Sequence, residues 1–269
     1  MTEPSKDDES AIESTKAPLL DHLIELRRRL VWAVISFVFC FGICFFFAEQ
    51  ILAFLTQPLA RALEGQTNRH LIATALTETF FTYVRVGMFG GLCLGFPLIA
   101  AQLWLFVAPG LYKKERMAFL PFLLATPVMF IAGAAFVFYV MMPFAIHFLL
   151  GYQSQGSPNS LPIQLEARIS EYLDFAMTLI FAFGLTFQMP VLLGLLGRVG
   201  IITAAQLRQF RRYAIVAMFA VAAVITPPDA VSMLSLAVPL VVLYEGSIII
   251  VLLIERSRKK QDEARAAAG

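Results

Sequence analysis

Six long runs of apolar residues, separated by shorter charged stretches, constrain this chain more than any other feature. They occupy residues 30–48, 86–107, 119–150, 172–196, 213–225 and 230–254. About 20 apolar residues let an α-helix cross a hydrocarbon core about 30 Å thick. With 59% hydrophobic residues, only 15% charged and a mean hydropathy of +0.75, no water-soluble globule is expected, because 25 Phe and unbroken apolar runs leave no polar face to wet. The expected fold is all-α, a polytopic membrane protein of six transmembrane helices. One membrane domain, residues 21–255, lies between a disordered cytoplasmic tail, 1–20, and a charged cytoplasmic tail, 256–269.

Six crossings put both termini on one side, and the placement of the bases says which. Seventeen of the 21 Lys and Arg fall on the side of the termini, whereas Arg61, Arg69 and Arg168 fall opposite and Arg85 stands at a helix end. The positive-inside rule makes both termini cytoplasmic. The start Thr2-Glu3-Pro4-Ser5-Lys6-Asp7-Asp8 has no apolar centre and is not read as a cleavable secretory signal. Two outer loops are long, about 49–83 and 151–171, and any outer cap must come from them. Within the second, residues 166–172 are expected as a short interfacial helix before the fourth span.

The fifth span has only 14 residues between Arg212 and Pro227, about 21 Å as a helix. Glu245 interrupts the sixth, so the last hairpin is short and must thin the bilayer, tilt or sit behind protein. Pro97, Pro121, Pro127, Pro143, Pro190 and Pro239 lie within spans and predict kinked helices in a curved bundle. Gly87, Gly91 and Gly95, at i, i+4 and i+8, mark a face of the second span for close helix packing.

No nucleophile elbow, phosphate loop or metal cluster is visible, and an enzyme is not expected. Cys40, Cys44 and Cys93 all fall in apolar runs and are read as packing residues. On the terminal side two acids stand among many bases: Glu25, before Arg27-Arg28-Arg29, and Glu115, beside Lys113, Lys114 and Arg116. A carboxylate can accept two parallel hydrogen bonds from one guanidinium, which an ammonium cannot reproduce. Spacing alone favours a local role, with Glu25 paired to Arg28 or Arg29 one turn on and Glu115 balancing its neighbours. Within the spans Gln102, Asp174, Gln188, Thr226, Asp229, Ser232 and Glu245 are polar, and ionisable groups at such depth default to function.

Several of these segments together resemble the TatC family, the multispanning receptor subunit of the twin-arginine protein translocase. They are His22-Leu23-Ile24-Glu25-Leu26-Arg27-Arg28-Arg29, Phe80-Phe81-Thr82-Tyr83, Phe96-Pro97-Leu98, and Gln102-Leu103-Trp104-Leu105-Phe106-Val107-Ala108-Pro109-Gly110-Leu111-Tyr112 with Glu115-Arg116. Thr226-Pro227-Pro228-Asp229 with Ser232, Val238-Pro239-Leu240 and Leu243-Tyr244-Glu245 complete the set. The resemblance implies a bacterial inner-membrane protein without cofactor that binds the Arg-Arg signal peptides of folded cargo. Glu25 and Glu115 would receive the guanidiniums, Phe106, Leu111 and Tyr112 would line the site, and Arg27 would order it. It also implies single-span TatB and TatA partners docking at Gln188, Thr226, Asp229 and Ser232, homo-oligomeric receptor complexes, no nucleic acid, and export driven by the proton-motive force. Gln188 stands where some family members carry Glu, and Met233 where Gln is familiar. The competing class is a solute or ion transporter with Asp174 and Glu245 lining a pathway; against it, the two three-span halves show no self-similarity.

Overall fold

In a computed structural model of the chain, the described residues are 6–64, 71–107, 120–152, 168–225 and 230–268. They form helices α1 (Lys6–Phe46), α2 (Ala48–Ala62), α3 (Glu78–Val107), α4 (Leu120–Phe136), α5 (Met142–Leu150), α6 (Ile169–Thr186), α7 (Met189–Val199), α8 (Ala204–Ile225) and α9 (Ala230–Ala268), with a π-helical segment, Val137–Met141, between α4 and α5. Among the described residues the non-helical pairing is one isolated bridge, Ile72 to Arg168. The fold is an all-α membrane bundle.

Five helical stretches, in α1, α3, α4–α5, α6–α7 and α9, are long and apolar enough to cross a membrane. The sixth crossing is α8, whose first half carries Arg208, Arg211 and Arg212 and leaves residues 213–225 as its apolar part. Thirteen residues rise about 20 Å. Arg211 Nη2 donates to Glu245 Oε2 at 2.8 Å, and the Tyr244 hydroxyl donates to the Leu207 carbonyl at 2.8 Å. These two ties fix the register of α8 on α9 and close the short hairpin with neutralised charge. The lower part of α9 then packs on α7, where Gly194 and Gly197 lie against Ile250 and Val251.

The most extensive helix pair is α1 with α3. A Cβ on Gly91 would stand 2.6 Å from the Phe41 Cα, where only glycine fits without a shift, and one on Gly87 3.1 Å from the Phe45 Cα, a tight approach. Cys40 and Cys44 are buried in the same seam, with the Cys40 sulfur 3.5 Å from the Cβ position of Gly95. Away from α3, α1 presents Leu30, Trp32, Val34, Phe39 and Phe46 outward, the dress of a helix against lipid.

Proline punctuates the bundle unevenly. Pro97 and Pro239 sit inside continuous helices, whereas Pro143 lacks the N–H that would close a regular turn on Tyr139 and follows the π segment. The fourth span breaks between α6 and α7 at Phe187 and Gln188, just before Pro190.

Two sequence expectations are corrected here. The stretch 49–83 is not wholly loop: α2 fills 48–62, because Leu55, Pro58 and Leu59 share a buried face while Glu49, Gln50 and Arg61 stay outside. Tyr172 clamps it, its buried hydroxyl donating to the Leu55 carbonyl at 2.7 Å. Second, α6 starts at Ile169 as the span itself, with no separate interfacial helix over 168–172; residues 166 and 167 lie outside the described residues. Both long loops do supply the cap opposite the termini. Ile169 N–H donates to the Ile72 carbonyl at 3.1 Å. Glu78 accepts from Thr74 N at 2.6 Å, the Ser170 hydroxyl at 2.6 Å and Arg168 Nε at 3.3 Å.

Candidate functional site

At the end of the bundle that carries the termini, α1 and α3 bring five side chains together. His22, Glu25 and Arg29, at i, i+3 and i+7, share one face of α1, and Gln102 and Phe106, at i and i+4, share one face of α3. The His22 ring stacks on Phe106 with centroids 4.3 Å apart and planes 24° apart. About two turns further along α1, and about one turn back along α3, Arg29 Nη1 donates to Gln102 Oε1 at 3.5 Å. Glu25 stands between these two bridges.

Arg29 Nη2 also donates to Glu25 Oε1, at 3.3 Å, with about three-tenths of each side chain exposed. The pairing uses one carboxylate oxygen at a long distance, so it is not the bidentate fork that Arg and carboxylate form at best. Among the described residues Arg29 Nε is buried with no partner. Glu25 Oε2 accepts no hydrogen bond among the described residues, which leaves that carboxylate able to take a second donor. Spacing did allow the Arg29 pairing; what it did not indicate is the partnerless Nε, nor the contacts of His22 and Arg29 with α3, which join residues more than 70 positions apart.

Arg27, two residues from Glu25, is exposed and turned from the Glu25 face. Phe106 is half-buried in the last turn of α3. Leu111, Tyr112 and Glu115 lie outside the described residues. The geometry therefore places Glu25 and Phe106 in one neighbourhood.

A second polar group lies deep among the helices. Gln188, 7% exposed, sits at the α6–α7 break and donates from Nε2 to the Thr126 carbonyl at 2.9 Å and the Gly184 carbonyl at 3.5 Å. Trp104 Nε1 donates to the Thr126 hydroxyl at 3.0 Å, which itself donates to the Phe122 carbonyl at 2.9 Å. Three spans are thus tied at one level, with Gln188 Oε1 accepting no bond among the described residues. Thr226 and Asp229 lie outside the described residues, and Ser232 is in the first turn of α9 with its side chain outside them. Asp174 is paired with Arg85 at 3.0 Å and Glu245 with Arg211 at 2.8 Å. Among the described residues no three His, Cys, Asp or Glu side chains gather as a metal site would require.

Comparison with known proteins adds the following. The family model described as Sec-independent protein translocase protein (TatC) matches residues 21–239. The chain is 44% identical over 252 residues to the Sec-independent protein translocase protein TatC of Magnetococcus marinus, covering 94% of this chain and 90% of that one. It is 42% identical over 238 residues to the protein of the same name from Rickettsia prowazekii, covering 88% and 94%. A crystal structure of the twin-arginine translocase receptor TatC superposes with a TM-score of 0.74 at 35% identity, over 87% of this chain and 99% of that one.

Proposed function

Because the chain belongs to the TatC family of Sec-independent protein translocase proteins, we propose that it binds the Arg-Arg signal peptides of folded cargo at Glu25 and Glu115 and recruits single-span partners for export. It is a multi-pass membrane subunit of a protein translocase. The observation that carries the finer reading is the half-engaged Glu25 carboxylate, held between the His22–Phe106 stack and the Arg29–Gln102 bridge.

In this reading a signal-peptide guanidinium takes the free Glu25 oxygen and competes with Arg29 for the other, while Gln102 keeps Arg29 as it lets go. Glu115 receives the second guanidinium, and Phe106, Leu111 and Tyr112 pack on the flanking apolar residues, with Arg27 ordering the entry. A fork-shaped donor is required because only it fills both oxygens, which explains a demand for Arg over Lys. By the positive-inside rule the seventeen bases on the side of the termini support a bacterial cytoplasmic place for that end, with segments 1–20 and 256–269, and an inner-membrane place for the domain 21–255.

The signal's apolar part then inserts along the bundle, and partner helices of the TatB and TatA kind dock at Thr226, Asp229 and Ser232, with the unengaged Gln188 oxygen as a hydrogen-bond acceptor. Homo-oligomers of the receptor and coupling to the proton-motive force belong to the same proposal, as does the absence of any chemical step. The short α8–α9 hairpin thins the bilayer where cargo must pass.

Site-specific photo-crosslinking tests the binding reading. A photoreactive residue at Phe106 is expected to capture a twin-arginine signal peptide, and one at Leu192, exposed on α7, is not. Capture at neither position, or equally at both, overturns the placement. A solute pathway would instead give flux through proteoliposomes containing this chain alone.

A further inference from the structure

Three described arginines lie at the end of the bundle opposite the termini. Arg85 is held by Asp174 at 3.0 Å, and Arg168 by Glu78 and Glu171, both at 3.3 Å. Arg61 has no carboxylate partner among the described residues. It stands in the last turn of α2, at the mouth of a cleft of about 270 Å³ between α2 and the π segment with α5. Pro58, Phe138 and Pro143 form apolar walls, Arg61, Tyr139 and His147 supply the polar atoms, and no acid lines the cleft among the described residues.

The cleft follows from the sequence. Pro143 cannot donate to the Tyr139 carbonyl and its ring crowds that group, so the helix widens into the π segment Val137–Met141. Such insertions re-aim side chains and recur at functional sites. Here the widened turn turns Phe138 inward, 5% exposed, to stack on Phe54 of α2 with centroids 4.3 Å apart and planes 3° apart. Tyr139, its ring edge-on to Phe138 at 5.0 Å, is left 64% exposed at the rim. His147 lies one turn beyond Pro143, in the last turn of α5. The cleft lies in the last part of the third span, which runs to Leu150, against the end of α2, the helix that follows the first span.

From this juxtaposition we propose that the cleft binds the phosphate of an anionic phospholipid in the leaflet opposite the termini. The Arg61 guanidinium forks onto two phosphate oxygens. The Tyr139 hydroxyl and a His147 ring N–H donate to the remaining lone pairs of the same two oxygens, and the glycerol and first methylenes lie on Pro58, Phe138 and Pro143. Choline or ethanolamine headgroups carry a cation that would find no carboxylate here, so phosphatidylglycerol is preferred to phosphatidylcholine. Bound lipid would hold α2 against the third span at the edge of the outer cap. Nothing in this depends on the signal-peptide reading.

The test is a lipid titration of the full chain in detergent, read by native mass spectrometry. Phosphatidylglycerol should fill the first site about tenfold more tightly than phosphatidylcholine, because choline sets a second cation beside Arg61 with no carboxylate to take it. Arg61→Gln should abolish that preference and Tyr139→Phe weaken it, while Arg69→Gln, which removes the same charge eight residues on, leaves it intact. Thermal unfolding in detergent confirms that each variant is folded. Equal affinity for both lipids, or equal loss in R61Q and R69Q, overturns the site. Displacement of the lipid by an equal concentration of inorganic phosphate would identify free phosphate as the ligand and overturn the lipid assignment.

Discussion

Glu25→Gln and Arg29→Gln separate two roles that the same ion pair could hide. The Glu25–Arg29 contact is 3.3 Å long, one-pronged and about three-tenths exposed on each side. An i, i+4 pair of that kind contributes about 0.3–0.5 kcal/mol. If Arg29 competes with the signal peptide for Glu25, removing it should tighten peptide binding by at most about twofold. Removing the Glu25 charge should cost far more, because a hydrogen bond between two charged groups contributes about 1.5–3 kcal/mol, which is about 10- to 150-fold in affinity. The assay is fluorescence anisotropy of a labelled twin-arginine peptide on the protein in nanodiscs, each variant first checked for folding by thermal unfolding. Equal weakening by both substitutions would refute the competition, making Arg29 part of the binding surface. An unaltered affinity in E25Q would remove Glu25 from the site.

Packing predictions follow from the α1–α3 seam. Gly91→Ala forces its Cβ against the Phe41 backbone at 2.6 Å and should destabilise the protein by about 1–3 kcal/mol, whereas Gly95→Ala meets the Cys40 sulfur at 3.5 Å and should be tolerated, as thermal unfolding in detergent will show. Gln188→Leu removes the tie to the Thr126 carbonyl and should cost about 0.6–1.7 kcal/mol in the same assay, the range for a hydrogen bond between helices in a membrane. Tyr172→Phe frees α2 from α6 by taking away the donor to the Leu55 carbonyl; faster amide exchange confined to 48–62 is expected, and unchanged exchange there would contradict the clamp.

The spans were legible because burial in lipid needs nothing but apolar length, and the glycine stripe because close approach needs nothing but a missing side chain. Helix α2 was not, since its 15 residues interleave Glu49, Gln50, Thr56 and Arg61 with apolar positions and contain Pro58, a mixture that reads as loop until Tyr172 and the third span supply the other half of its core. The π segment escaped for a related reason: Pro143 announces a disturbance, but whether the helix kinks or widens is decided by what Phe138 can stack against, and Phe54 is 84 positions away. At the candidate site the sequence indicated Glu25 and its local partner. The stack of His22 on Phe106 and the bridge from Arg29 to Gln102 depend on how α1 and α3 are set against each other, which no local spacing encodes.

The receptor claim is tested most directly by equilibrium binding of a fluorescent twin-arginine signal peptide to this protein in nanodiscs, against the same peptide with both arginines replaced by lysine. A preference of about tenfold or more for the arginine form is expected, since lysine cannot fork onto the Glu25 carboxylate. Equal affinity for the two peptides, with folded protein, would contradict it.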